Sequence, residues 1–225
     1  MAATPLLELR NLACERDERF LFAGLNASFY AGQVVQILGP NGSGKTTLLR
    51  ILAGVSQDFY GQIEWQGQAI SQATSKVRWE YASELIYLGH LPGIKKSLTP
   101  LENLRWYASA QGINDDKALV AALVNVHLEG YEDTPCYRLS AGQLRRVALA
   151  RLEFSRANLW ILDEPFTALD KSGVAQLESR LADHARSGGL VLVTSHQDIR
   201  LPDLQFLDLQ DFPAKNAPLE DAAYG

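Results

Sequence analysis

The amino-terminal part of the chain alternates between apolar and polar positions in short runs. Leu7 to Leu12 and Leu25 to Phe29 show this alternation, and Val34 to Leu38 follows a turn at Ala31-Gly32. A period of two residues is typical of strands with one buried face. The pattern predicts an antiparallel meander that leads into the 34–38 strand, and it adds the segment 62–68 to the same small β-layer.

Later segments are apolar at nearly every position, as expected of strands that are covered on both faces. They span residues 83–88, 159–162, 190–194 and 204–209. Three of them stop at polar residues, namely Gly89-His90, Asp163-Glu164 and Ser195-His196. Ligands of open α/β sheets are contacted at such strand ends. The pattern therefore predicts an α/β fold with its functional site at one edge of the sheet.

The middle of the chain shows helical rather than strand periodicity. Thr99-Pro100-Leu101-Glu102 has the form of a capping box with proline at the first helical position, and residues 115–129 carry a second helical period. We predict a helical subdomain, at about 94–155, inserted into a single domain that spans residues 1–212. Residues 213–225 are rich in Pro, Ala and acidic residues and are predicted to form a loose tail.

Composition excludes several classes of protein. The chain has 225 residues, 47% of them hydrophobic, and a net charge of −5, and it contains no basic run, so extended nucleic-acid binding is not expected. No apolar run approaches the roughly 20 residues needed to cross a bilayer. The amino terminus lacks the basic region of a signal peptide. Cys14 and Cys136 are far apart and imply no metal site. We expect a cytoplasmic protein that contacts membranes through partners.

The most informative stretch matches the phosphate-loop pattern G-x-x-x-x-G-K-[ST] between a strand and a helix. Its residues are Gly39, Pro40, Asn41, Gly42, Ser43, Gly44, Lys45, Thr46 and Thr47. Glycines let successive N–H groups turn inward, and the helix start adds partial positive charge. Lys45 adds a full charge for the β- and γ-phosphates, and Thr46 offers a hydroxyl to Mg²⁺. The stretch predicts binding of a nucleoside triphosphate.

Two further stretches carry chemistry. Leu139 to Arg151 begins with Ser and Gly and continues as a helix, so its start is a second candidate phosphate site. Asp163 at the tip of a buried strand suits Mg²⁺ or its bound water, and Glu164 could polarise an attacking water.

The order of these motifs resembles that of ATP-binding cassette (ABC) ATPases, a family of phosphate-loop NTPases, from about residue 6 to 210. The resemblance implies ATP and Mg²⁺ as cofactors and a head-to-tail dimer of two copies. In such a dimer the phosphate loop of one copy and the signature of the other enclose each ATP. The signature positions are Ser140, Ala141, Gly142 and Gln143, with Asp170 in the loop that connects the two sites. The resemblance further implies that Glu164 is the catalytic base and that His196 touches the γ-phosphate.

The sequence departs from the family pattern at three places. Ala141 replaces a glycine of the signature, which we expect to be tolerated. His90 stands where the family offers a glutamine to Mg²⁺ and the attacking water, so we expect His90 at the catalytic centre but as a poorer metal ligand. The family stacks an aromatic residue on adenine, and two candidates stay open here: Arg16, which lies near its place, and Phe20, the nearest aromatic.

Within the family, the segments 87–90, 98–104 and 139–151 resemble the ATP-binding subunits of cytochrome c maturation systems, which handle haem. This resemblance implies integral membrane subunits as partners and a peripheral position on the cytoplasmic side of the bacterial inner membrane. The segment 90–94 with Trp106 and Tyr107 could line an apolar docking groove for them, although those two aromatics could equally be subdomain core. No direct haem binding is predicted, because a Cys-Pro pair is missing and His127 and His184 lie on apparent helices.

Two alternatives stay open at this point. One is a soluble cassette ATPase that acts on nucleic acid or ribosomes, although the fused second cassette, coiled coils and basic arms of such proteins are missing. The other is a transporter subunit for a different substrate. A phosphate-loop kinase or GTPase is disfavoured by the signature and by the Asp163-Glu164 pair.

Overall fold

A computed structural model of the chain describes residues 4–71 and 73–213. The predicted tail lies outside the described residues, except for residue 213. The strands are β1 Leu7–Arg16, β2 Arg19–Phe29, β3 Val34–Leu38, β4 Tyr60–Trp65, β5 Gln68–Ala69, β6 Leu85–Leu88, β7 Leu159–Asp163, β8 Leu190–Thr194 and β9 Leu204–Asp208. The helices are α1 Lys45–Leu52, α2 Ser75–Ser83, α3 Pro100–Ser109, α4 Asp116–Asn125, α5 Ala141–Leu149, α6 Arg151–Phe154 and α7 Lys171–Arg186.

The strands form two sheets that face a shared core. An antiparallel sheet has the order β2-β1-β4-β5, and a parallel sheet has the order β6-β7-β8-β3-β9. Leu7 pairs with Phe29 on one side and with Trp65 on the other. Helix α1 lies between the sheets, where Leu48, Leu49 and Leu52 are buried in the same apolar cluster. The predicted α/β class with an antiparallel β-layer is confirmed.

The predicted meander is wrong for the 34–38 segment, because β3 belongs to the parallel sheet. It lies between β8 and β9 rather than beside β2. The burial of β3 explains the difference: Val34, Val35, Gln36 and Ile37 are all buried, so this strand is covered on both faces. A central parallel strand has no polar face to alternate with.

The strand predicted over 83–88 begins only at Leu85, because Ser83 ends helix α2. Helix α2 was not predicted, since among its described residues only Tyr81 is buried. A helix without an apolar stripe has no periodicity to detect.

Helices α3 to α6 pack around their own apolar cluster, which includes Leu104, Leu119, Leu123 and Val147. The capping box of α3 is present: Thr99 Oγ1 accepts the Glu102 N–H at 3.2 Å, and Glu102 Oε2 accepts the Thr99 N–H at 2.8 Å. The boundaries 94–155 for an inserted subdomain stay a prediction. His127, which was predicted to be helical, follows α4 in a left-handed turn with φ of 58°.

Helix α7 covers the opposite face of the parallel sheet, where Leu177 and Leu181 join a second apolar cluster. His184 of this helix is buried and stacks on Trp160, with ring centroids 3.8 Å apart. Burial lowers the pKa of His184 to about 4, so the imidazole is neutral at physiological pH. This histidine is a packing residue.

Candidate active site

The phosphate loop connects the end of β3 to the start of α1 at the carboxyl edge of the parallel sheet. Gly39, Gly42 and Gly44 have φ values of 141°, 84° and 96°, a region that disfavours residues with a Cβ. A Cβ at Gly39 would lie 2.5 Å from Ser43 Oγ. The loop conformation therefore depends on its glycines.

Lys45 is the first residue of α1, and its side chain folds back over the loop. Its Nζ donates to the carbonyl oxygens of Gly39 at 2.7 Å and Pro40 at 3.2 Å. Charge-assisted hydrogen bonds to anionic oxygens are stronger than those to neutral carbonyls. The ammonium group is thus held at the loop by acceptors that a phosphate could replace.

Asp163 ends strand β7, and its carboxylate is buried beside the phosphate loop. Its Oδ1 accepts hydrogen bonds from Thr46 Oγ1 at 3.2 Å and from Thr194 Oγ1 at 2.8 Å. Its Oδ2 is buried and has no hydrogen-bond donor among the described residues. A buried carboxylate oxygen without a partner is costly, and a cation would satisfy it.

Glu164 follows Asp163 in a left-handed conformation with φ of 51°. Its N–H donates to Thr194 Oγ1 at 3.0 Å, and its Oε2 accepts the His196 N–H at 3.2 Å. Its Oε1 lies 3.6 Å from His196 Nε2 and is buried without a hydrogen bond within the described residues. The carboxylate therefore has a free acceptor oxygen next to an exposed imidazole.

A cavity of about 410 Å³ joins the phosphate loop to these side chains. Its lining includes Lys45, Thr46, His90, Asp163, Glu164 and His196. Arg16 also lines it, whereas Phe20 is not among the described lining residues and packs instead on Tyr60, with ring centroids 6.0 Å apart. One cavity thus brings together a phosphate-binding loop, two carboxylates and two imidazoles.

The signature segment begins helix α5 and does not contribute to the described lining of this cavity. Ser140 caps the helix, because its Oγ accepts the Gln143 N–H at 3.2 Å while Gln143 Oε1 accepts the Ser140 N–H at 2.9 Å. Ala141 is exposed at the first helical position. A Cβ at Gly142 would lie 2.8 Å from the carbonyl oxygen of Ala168, so this glycine permits a close backbone approach.

Asp170 caps helix α7 within its own chain. Its Oδ1 accepts the Gly173 N–H at 2.9 Å and a guanidinium N–H of Arg146 at 2.6 Å. The hydrogen bond from Gly173, together with the charge of Arg146, holds the pKa of Asp170 below its usual range. The carboxylate is therefore engaged in fixing the start of α7.

The structure adds Thr194 and Arg145 to the site, and sequence reasoning had missed both. Thr194 lies opposite Asp163 in the pairing of β7 with β8, so a correct strand alignment would have found it. Arg145 is buried and donates to the Glu164 carbonyl oxygen at 2.6 Å. No sequence signal identifies it, because a charged residue on an amphipathic helix is expected to face solvent.

Comparison with known proteins identifies the class to which this fold and site belong. Residues 22–167 match the family model described as ABC transporter. The chain belongs to this family and is an ATP-binding, ATP-hydrolysing cassette.

Curated relatives carry a narrower name, "Cytochrome c biogenesis ATP-binding export protein CcmA". The relative from Saccharophagus degradans is 50% identical over 96% of this chain and 99% of its own length. The relative from Escherichia coli K12 is 51% identical over 88% of this chain and 92% of its own length.

Solved structures support the fold. A putative ABC transporter ATP-binding protein from Pyrococcus furiosus has a TM-score of 0.78, with 24% identity over 92% of this chain and 98% of that one. A bacterial ABC transporter cassette solved as a dimer also has a TM-score of 0.78, with 22% identity over 90% of this chain and 94% of that one. Among the described residues, no helix is both long and apolar enough to cross a membrane.

Proposed function

We propose that the chain is the ATP-hydrolysing subunit of a membrane complex for cytochrome c biogenesis, in which it acts on the export or release of haem. The observation that carries the proposal is a site suited to ATP hydrolysis in a chain about half identical to relatives named for this process. The proposed position is peripheral, on the cytoplasmic side of the inner membrane.

In this proposal the loop from Gly39 to Thr47 binds the phosphates, and Thr46 and Asp163 hold Mg²⁺. The Oδ2 of Asp163 is buried and has no partner among the described residues, while the Oδ1 of the same carboxylate accepts the Thr46 hydroxyl. These oxygens fit a hard cation that prefers oxygen ligands. When bound, Mg²⁺ would neutralise charge on the phosphate oxygens. Asp163 and Thr46 supply the oxygen atoms, and Thr194 fixes the orientation of the carboxylate.

Glu164 is the proposed general base, because its side chain lines the phosphate cavity and its Oε1 accepts no hydrogen bond from the described residues. His196 orients this carboxylate through its backbone N–H, and its exposed ring could contact the γ-phosphate. His90 lines the same cavity and is exposed, which suits a role at the catalytic centre.

We further propose that the signature residues Ser140 to Gln143 act on the ATP of a second copy. These residues are not among the described lining of the cavity, which supports action between chains. The Ser140 hydroxyl accepts the cap hydrogen bond and still has its own proton to donate to a phosphate. Asp170 would contribute through the loop that its side chain fixes.

Arg16 is the better candidate for the adenine contact, because it lines the cavity and Phe20 does not in the described structure. A guanidinium can stack on a flat base through its own planar face.

A groove between the core and the helical layer is the proposed docking site for an integral membrane subunit. Its cavity of about 420 Å³ is lined by Leu91, Pro92, Gly93 and Tyr107, and it extends to the active-site residues Thr46, His90 and Asp163. Leu91 is 81% exposed and Trp106 is 52% exposed, so Trp106 is not subdomain core. Exposed apolar residues next to a groove favour a protein partner. That the chain makes no direct haem contact stays a prediction.

The test is affinity purification of the tagged chain from membranes solubilised in mild detergent, with mass spectrometry and a haem absorbance spectrum. We expect polytopic membrane proteins, one of them carrying haem, and we expect Leu91→Glu to lose them. The control Val124→Glu changes an exposed apolar residue of α4 outside the groove lining and should retain them. Recovery of ribosomes or nucleic acid instead would favour the soluble alternative, and membrane proteins without haem would favour another transport substrate.

A further inference from the structure

Arg145 is a buried guanidinium at the junction of three segments. It lies on α5, four-percent exposed, five residues beyond the Ser140 cap. Its nitrogens donate to the carbonyl oxygens of Gly89 at 3.1 Å, Asp163 at 3.5 Å and Glu164 at 2.6 Å. One side chain thus joins the signature helix to the loop that carries His90 and to the end of β7.

The partners of Arg145 are unusual for a buried charge. Its hydrogen bonds in the described structure go to backbone carbonyls rather than to a carboxylate. Burial lowers the pKa of Arg145, and the negative charges of Asp163 and Glu164 act in the opposite direction. A desolvated guanidinium is retained only where hydrogen bonds compensate it, so these carbonyl contacts are what holds it there.

The shortest of these contacts is made to a residue with an unfavourable backbone conformation. Glu164 has a φ of 51°, which is disfavoured for a residue with a Cβ. Its N–H is fixed by Thr194 and its carbonyl oxygen by Arg145. These two hydrogen bonds maintain the conformation that directs the carboxylate toward His196 and the cavity.

Helix α5 contacts the segment after Glu164 at two more points. Gly142 packs closely on the backbone of Ala168, and Arg146 pairs with Asp170. The signature helix and the 163–170 segment are therefore connected along their length, and Arg145 is the connection that reaches the proposed base.

We propose that Arg145 is a positioning residue that couples the orientation of the signature helix to the backbone of Glu164 and to the His90 loop. The inference rests on the proposed role of Glu164 as general base. Arg145 does not touch the reacting atoms; it holds Glu164 in the conformation in which its carboxylate faces the cavity.

The test compares Arg145→Lys, Arg145→Met and Glu164→Gln in the full chain purified with its membrane partners. We expect each Arg145 variant to lower kcat at least about tenfold with KM for ATP within about twofold, because positioning acts on the chemical step. Lysine keeps the charge, but its single ammonium cannot bridge Gly89 and Glu164 as the guanidinium fork does. Arg145→Lys also keeps the inference testable if Arg145→Met fails to fold.

A control and a double variant separate positioning from stability. The control Arg180→Met removes a different arginine, which is partly buried and donates to the Leu152 carbonyl oxygen at 2.7 Å. This variant should have a lower melting temperature and an unchanged kcat. In the Glu164→Gln background, measured by single turnover, Arg145→Lys should cause little further loss, because Arg145 acts through Glu164.

The possible results distinguish the inference from the function on which it rests. If Arg145→Lys keeps the parental kcat while Glu164→Gln is slow, the inference alone is overturned. The same holds if Arg145→Lys lowers the rate by an equal factor in the parent and in the Glu164→Gln protein. Parental turnover of Glu164→Gln would overturn the proposed base and the inference with it.

Discussion

At the scale of single residues, neighbouring side chains of the same chemical type have different surroundings. Asp163 and Glu164 are adjacent, yet the carboxylate of Asp163 accepts two threonine hydroxyls and that of Glu164 accepts the backbone N–H of His196. This difference supports the separate tasks proposed for them, metal binding for Asp163 and proton transfer for Glu164. The same contrast separates the buried, stacked His184 from the exposed His196.

Glu164→Gln should bind ATP normally and slow its hydrolysis by about 100-fold or more, because the amide cannot accept the proton of the attacking water. Steady-state hydrolysis and equilibrium ATP binding measure the two effects separately. Hydrolysis at the parental rate would mean that another residue is the base.

Arg16→Ala should weaken ATP binding about fivefold, the effect of losing roughly 1 kcal/mol of stacking, whereas Phe20→Ala should leave it unchanged. Inorganic tripolyphosphate is the control ligand, since it has no base, and its affinity should be equal in all three proteins. Weaker binding in Phe20→Ala alone would assign the adenine contact to that ring.

The buried His184 predicts a pH dependence of stability. Its folded pKa of about 4 lies below the ordinary value of 6.5, so the unfolded chain binds more protons between these values. The contribution of His184 to the free energy of unfolding is fully present above pH 6.5 and is lost as the pH falls toward 4. Lowering the pH from 7.5 to 5.5 should cost about 1 kcal/mol of unfolding free energy through this group.

Urea unfolding at the two pH values measures this difference. His184→Gln should reduce the pH-dependent difference, and the matched control His127→Gln, which changes an exposed histidine, should retain it. An unchanged pH dependence in His184→Gln would mean that other groups cause it.

At the scale of elements, the start of α5 combines a stable cap with an exposed face. Ala141→Asp adds a negative charge to the first turn, which the helix dipole tolerates or favours by a few tenths of a kcal/mol. The same charge would repel a γ-phosphate presented by a second copy. In the Glu164→Gln background, slow hydrolysis should leave ATP in place and stabilise the proposed dimer. We therefore expect Ala141→Asp to melt normally in this background but to form no ATP-dependent dimer.

Gel filtration with ATP in the Glu164→Gln background detects this loss. Ala141→Ser, which is small and neutral, is the control and should dimerise like the parent. Dimerisation of the Ala141→Asp protein at the same ATP concentration would show that the start of α5 does not face a phosphate.

At the scale of the whole molecule, the proposed head-to-tail arrangement predicts complementation between two defective chains. Lys45→Ala should weaken ATP binding about 10- to 100-fold, since a charge-assisted contact is lost. Mixed with Ala141→Asp chains, it forms dimers in which one site has an intact phosphate loop and an intact signature. ATP hydrolysis in the mixture should exceed that of either protein alone. No gain after confirmed subunit exchange would argue against sites shared between chains.

Features that depend on contiguous residues could be predicted from the sequence alone. The phosphate loop needs glycines at fixed positions, the cap of α3 needs a hydroxyl three residues before Glu, and a buried strand needs an apolar run. These local requirements predicted the fold class, the family and the candidate residues that line one cavity.

The contacts between separate segments could not be predicted and depend on the folded arrangement of the chain. Sheet order placed β3 beside β8 and β9, and pairing of β7 with β8 brought Thr194 to Asp163. Packing of α5 against the core buried Arg145 on three backbone carbonyls. Such contacts join residues that are distant in the chain, and their energy depends on geometry that no local pattern encodes. The reactive residues of the site could therefore be identified from the sequence, whereas the residues that position them, such as Thr194 and Arg145, were identified only in the folded structure.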